Sequence, residues 1–144
     1  MMEIDSYSFQ CGVIDCFNEM VAAGVKSLAL SRPASREERD ALIDFAHESC
    51  RRYGTKLYPE DQPLITDLFP LSLNQGKFNI LFYRDDHVIE EYIRLKERKE
   101  NMVASRAYFG GNRSRTAWEY GRLLSYPEEV IQRLIADNPE KEKV

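Results

Sequence analysis

The chain has 144 residues, 31% charged and 43% hydrophobic, which suits one domain with a real core and excludes global disorder. A formal net charge of -4 gives no electrostatic case for nucleic acid as the main partner, although local basic patches are compatible with it. No apolar run approaches the roughly 20 residues that span a bilayer, and the acidic start Met1-Met2-Glu3-Ile4-Asp5 lacks the regions of a signal peptide, so no membrane partner is expected and the cytoplasm is the expected address.

Residues 1–9 are polar and are expected to be frayed or lightly docked. From Cys11 to Ala23, Val13, Ile14, Phe17, Met20 and Val21 form a helical stripe that Gly24 stops; Asp15 and Glu19 belong to its solvated side. Val25 to Leu30 reads as a short strand, ended by the turn at Ser31-Arg32-Pro33. Ser35 and Glu38 have capping-box spacing, and Leu42, Phe45, Ala46, Ser49, Cys50 and Tyr53 recur on one face of a helix capped by Gly54. Thr55 to Tyr58 is a second strand, halted by Pro59-Glu60-Asp61. A strand, a crossover helix and a strand in this order favour parallel pairing.

Gln62 to Gln75 is ambiguous, with Leu64 to Phe69 open to a short strand or a helical turn between Pro63 and Pro70. After the turn at Asn74-Gln75-Gly76, Phe78 to Tyr83 is apolar on both faces, as a central strand should be. Asp85 or Asp86 caps a helix to about Asn101, with Val88, Ile89, Tyr92, Ile93 and Leu95 inward. Val103 to Asn112 breaks the pattern, and Gly110-Gly111 reads as a loop. A helix over about Ser114 to Leu124 carries Ala117, Trp118, Gly121 and Leu124 on one side. Pro127 opens the last helix, packed by Val130, Ile131, Leu134 and Ile135; Asn138-Pro139 ends it, leaving a charged remainder expected to be mobile.

The expected architecture is a single small three-layer α/β domain over residues 1–144, with three to four mainly parallel strands, helices on both faces and a C-terminal helical pair over about 112–138. Trp118, Leu123, Leu124, Val130, Leu134 and Ile135 offer more apolar surface than two short helices bury against each other, which points to a homodimer.

Two segments have a family look. Tyr120-Gly121-Arg122-Leu123-Leu124-Ser125-Tyr126-Pro127 resembles a Tyr-Gly-Arg-Leu-Leu-Gly-Tyr-Pro element of prokaryotic proteins of unknown function. Ser125 replaces the usual glycine, and Glu129 and Val130 stand where cysteines often follow the proline. Cys11 to Asp15 and Gly24 to Ser31 have the look of the same families, which carry no assigned activity and so imply no mechanism here.

In open parallel sheets, ligands gather beyond the carboxyl ends of the strands. Ser31-Arg32, Glu60-Asp61 and Arg84-Asp85-Asp86 occupy such ends, so Glu60, Asp61 and Asp85 are candidate ligands for a divalent cation such as Mg²⁺; capping and turn roles, the commonest for such residues, explain them as well. A second candidate is Gly110-Gly111-Asn112-Arg113-Ser114-Arg115, a glycine loop opening a helix, where backbone N–H groups and Arg113, Arg115 and nearby Arg106 can receive an anion, with Arg32 as a further anion ligand. It is neither a Walker loop nor a dinucleotide fingerprint, and a flexible connector with solvated arginines accounts for the same residues.

No Gly-x-Ser-x-Gly or His-Glu-x-x-His motif occurs; a Cys50–His47 couple on one helix is the nearest approach to a nucleophile and base. Cys11, Cys16 and Cys50 are odd in number, and with only His47 and His87 they form no zinc spacing. Catalytic residues and cofactor are therefore not assigned. The expected function is a non-catalytic binding or regulatory module for a small anionic ligand. The alternative is a small enzyme acting on a phosphorylated or carboxylated metabolite through the strand-end acids, and a purely structural interaction role is a third reading.

Overall fold

Local rules set several helix ends in the computed structural model, which describes residues 3–144. The Asp5 carboxylate accepts the Ser8 N–H at 3.1 Å and so starts α1 (Ser6–Ala22) ahead of the expected helix; residues 6–9 are helical rather than frayed. β1 (Leu28–Leu30) follows, and the capping box closes as expected: Ser35 Oγ accepts the Glu38 N–H at 3.2 Å and the Glu38 carboxylate accepts the Ser35 N–H at 3.4 Å. The expected crossover helix is divided at Leu42 into α2 (Arg36–Ala41) and α3 (Ile43–Tyr53). Gly54, at φ 73°, supplies the left-handed cap and donates to the Cys50 carbonyl at 2.8 Å. Then come β2 (Lys56–Glu60), α4 (Leu71–Asn74), β3 (Asn79–Tyr83), α5 (Asp86–Ala104), α6 (Gly110–Leu123) and α7 (Glu128–Asp137).

The sheet corrects the expected fold class. It has three strands in the order β1-β3-β2, and both pairings are antiparallel, with Leu30 opposite Leu81 and Tyr58 opposite Leu81 on its other side. β1 and β2 never pair, because β3 lies between them. The reason sits in residues 61–78. A parallel third strand needs a crossover that carries the chain back along the sheet. This connection contains only the four-residue α4, so β3 starts at the edge where β2 ends and returns beside it.

The pleat sends alternate side chains to two cores. Ala29, Ile80 and Phe82 face α1 and α3, against Ile14, Val21, Ala46 and Cys50. Leu28 and Leu81 face the other way, against Val88, Tyr92, Ala117, Tyr120 and Ile131 of the last three helices. Helices α1 and α3 on one side and α5, α6 and α7 on the other thus bury a small antiparallel sheet. Among the described residues no helix is long and apolar enough to cross a membrane.

The α6–α7 corner explains much of the Tyr120–Pro127 element. Tyr120 is buried beside Tyr92 and meets Phe69 edge-on at 6.2 Å. Gly121 is pressed by α7, since a Cβ there would lie 2.6 Å from Ile131 Cγ1. Ser125 takes φ 65°, the left-handed angle that a glycine adopts without strain, and its Oγ accepts the Ser27 N–H at 2.9 Å. Leu123 and Leu124 are buried, while Trp118, Leu134 and Ile135 pack on the same core. The surface that pointed to a dimer is therefore covered largely within the chain.

The C-terminal remainder is a second correction. Glu142 is 7% exposed: Tyr108 donates to its carboxylate at 2.7 Å, Lys99 also bonds it, and its N–H donates to Asp67 at 2.9 Å. Asn138 Nδ2 donates to the carbonyls of Asp67 and Phe69 at 3.0 and 3.1 Å. Asn138, Glu140 and Glu142, which read locally as part of a helix end and a solvated tail, become a clamp because their partners lie far away in sequence.

Candidate functional site

Antiparallel order splits the acidic rim. Arg32 lies beyond β1, Glu60 closes β2 and Asp61 follows it, whereas Asp85 and Asp86 follow β3 at the opposite edge, where Lys56 at the start of β2 reaches Asp86 at 2.6 Å. Glu60, Asp61 and Asp85 therefore do not converge on one cation. Each is also engaged. Asp85 meets Arg84 at 3.4 Å, and its carboxylate makes no cap bond to α5. Glu60 accepts Tyr92 Oη at 2.7 Å, Lys96 Nζ at 3.0 Å on each oxygen, and the Gln62 N–H at 2.9 Å. Burial, reinforced by Tyr120 and Glu60, pushes the Tyr92 phenol well above its usual range, so it stays a neutral donor in this network.

Asp61 accepts Arg39 at 2.5 Å, and that bond holds its carboxyl below the ordinary range. The Arg39 guanidinium, 5% exposed, also donates to the Glu60 and Asn79 carbonyls at 3.0 and 3.1 Å, tying the ends of β2 and β3 together. Among the described residues no group of three or more His, Cys, Asp or Glu is placed to hold a metal ion.

Gly110 and Gly111 are the first residues of α6 rather than a loop. Asn112 Nδ2 donates to the Ala107 carbonyl at 3.0 Å. Arg113 is occupied: its Nε and Nη2 fork onto Asp67 at 2.6 and 3.0 Å, and it also bonds the Glu142 carbonyl. Burial works against charge on Asp67, but the Arg113 bonds and the Glu142 N–H outweigh it and hold the carboxyl below its ordinary range. Arg115 is exposed, and the segment borders none of the cavities described below.

The Cys50–His47 couple does not form either. Cys50 is buried, its Sγ donates to Asn18 Oδ1 at 3.8 Å, and burial raises its pKa, whereas His47 is exposed. Asn18 is fully buried and joins α1 to α3 through Ser49 at 3.0 Å and to Thr55 at 2.8 Å. That cluster is a satisfied polar tie within the core.

Arg32 stands apart from these. It is exposed, and its side chain has no hydrogen bond or ion pair among the described residues. It borders two cavities that also share Gln10. One, of about 310 Å³, lies between α1 and the 69–74 segment and is lined by Phe9, Val13, Phe17, Leu30, Phe69 and Leu73. The other, of about 260 Å³, lies toward α2 and is lined by Tyr7, Ala34, Ala41, Leu42 and Glu38. The Glu38 carboxylate is engaged by the Ser35 cap, whose hydrogen bonds hold it below its ordinary range. Phe9, Tyr7 and Leu73 remain 53%, 48% and 45% exposed at these mouths.

Sequence reasoning singled out Arg32 but missed Tyr7, Phe9 and Gln10, because residues 1–9 read as frayed and the helix was read from Cys11. The signal was Asp5 followed by Ser8, a capping spacing that places these side chains on α1. No protein-family model, curated protein or solved structure gives a significant match to the chain, so its chemistry is read from its own residues.

Proposed function

We propose that the chain is a binding or regulatory module, without catalysis, for a small organic anion that has an apolar body. The carrying observation is Arg32, an unpaired guanidinium on the shared wall of two apolar cavities. The ligand's anionic group sits on Arg32, where a guanidinium offers paired N–H donors to a carboxylate. Its apolar body lies along Phe9, Val13, Phe17 and Leu73, in the cavity that contains no carboxylate. Volumes of about 310 and 260 Å³ suit a metabolite-sized ligand.

The test compares decanoate with decanol, which has the same body and no charge, by thermal shift and calorimetric titration. A ligand at about 100 times its Kd stabilises by about 2.7 kcal/mol, roughly 5–10 °C for a domain of this size. Decanoate is expected to shift the wild type and not Arg32→Ala. Equal shifts with decanol, or a decanoate shift that survives Arg32→Ala, would sink the reading.

A further inference from the structure

A third cavity, of about 420 Å³, has the opposite character. It lies between α5 and α6 and is lined by Arg94, Arg98, Arg122 and His87 together with Glu91 and Glu119, above a floor that includes Val88, Leu95 and Leu123. On α5, positions 87, 91, 94 and 98 recur at helical spacing along one stripe; 119 and 122 form the facing stripe of α6. A seam between two packed helices is normally apolar at such positions. Here the apolar residues close the bottom and charged ones stand along the lip.

The charges do not cancel. Arg98 and Glu119 pair across the cleft at 2.8 Å, which neutralises both. Arg94 has no ion pair or hydrogen bond among the described residues, and Arg122 meets only Glu128, at 3.3 Å with side chains 65% and 76% exposed. Such an exposed pair is worth little. Glu91 is the one lining carboxylate without a partner. Arg122 is also the member of its segment that packing does not explain. Tyr120, Gly121, Leu123 and Leu124 are all buried, while Arg122 is exposed and lies over the Trp118 ring at 6.0 Å.

We infer that the α5–α6 cleft is a binding site for a phosphomonoester dianion. Arg94 and Arg122 supply two guanidiniums without strong partners, matching two negative charges and the acceptor oxygens of a phosphate better than one carboxylate would. The Arg98–Glu119 pair braces the wall, and Ser27 and His87 offer further polar groups at one end. The site is independent of Arg32, because none of its lining residues borders the Arg32 cavities.

Calorimetric titration with glycerol 3-phosphate and with inorganic phosphate, using acetate as the monoanion control, tests this. Arg94→Gln and Arg122→Gln alter exposed side chains, so both variants should unfold at the wild-type temperature. Each is expected to weaken glycerol 3-phosphate at least about tenfold, about 1.4 kcal/mol. Glu91→Gln removes the unpaired carboxylate and is expected to tighten binding, and Arg32→Ala to leave it unchanged. No glycerol 3-phosphate binding at millimolar concentration, acetate binding as tightly, or affinity unchanged in both arginine variants overturns the inference. Phosphate binding that is lost in Arg32→Ala but kept in Arg94→Gln and Arg122→Gln overturns it too.

Discussion

Arg32 and Arg113 carry the same guanidinium, and each lies in a segment that in the sequence looks suited to an anion. Tertiary structure gives them opposite fates. Arg113 reaches Asp67, 46 residues away, forks onto its carboxylate and bonds the backbone of the C-terminal segment. Arg32 lies where no carboxylate is within ion-pair distance and apolar side chains from α1 and the 69–74 segment come up beside it. The lesson is that availability of an arginine depends on whether the fold brings it a carboxylate. Adjacent glycines and turns carry no information about that.

The sharpest way to break the comparison is to remove Asp67. Asp67→Ala leaves the Arg113 charge, 20% exposed, without its partner and releases the Glu142 N–H. Uncoupling such a pair costs about 3 kcal/mol, to be read as a lower midpoint in urea unfolding. The same variant should speed hydrogen exchange over residues 138–142. The pH dependence has a definite sign. Asp67 is held below its ordinary value of 3.8, so its ion pair contributes fully above that pH and is lost as pH falls through the lower folded-state value. Melting temperature measured from neutral pH downward should therefore fall more steeply for the wild type than for Asp67→Asn.

Next in size is Gly121→Ala, which places a methyl group 2.6 Å from Ile131 Cγ1. Overpacking of this kind costs about 1–3 kcal/mol. Adding Ile131→Val should recover part of the loss, and a double-mutant cycle measures how much. Ser125→Gly relieves a left-handed angle worth about 1 kcal/mol but gives up the bond to the Ser27 N–H, so a gain smaller than that is expected in chemical unfolding. The smallest effect should be Arg32→Ala, within about 0.5 kcal/mol of wild type. An Arg32→Ala loss as large as that of Asp67→Ala would mean that Arg32 is a structural residue after all.

What was legible in the sequence was local. The Ser35–Glu38 box, the Gly54 cap and the apolar stripes of α5 and α7 each depend on neighbours within a turn or two, and each appears at its place. Phe78 to Tyr83, apolar on both faces, reads as a central strand and does sit in the middle of the sheet. Strand direction was not legible, because it turns on whether residues 61–78 cross over or return, and Leu64 to Phe69, bracketed by Pro63 and Pro70, reads equally as a strand or a helical turn. Partners such as Arg113–Asp67, Lys99–Glu142 and Arg39–Asp61 were not legible either. Charges that look solvated in sequence are matched only once distant segments meet.

Pro59 bears on how this sheet meets other chains. Ile80 turns its N–H to Ser31 Oγ at 2.8 Å and its carbonyl to the Ser31 N–H at 2.9 Å, both on the β1 side. Pro59, opposite Ile80 on the other flank, therefore aims its nitrogen away from β3, at the free rim of β2. A docking strand would look for an N–H there and find a ring instead, with Lys56 at the other end of β2 as an exposed charge. The β1 rim presents only three strand residues. Edge-to-edge polymerisation is thus disfavoured by the chain itself, as protection against aggregation written into a five-residue strand.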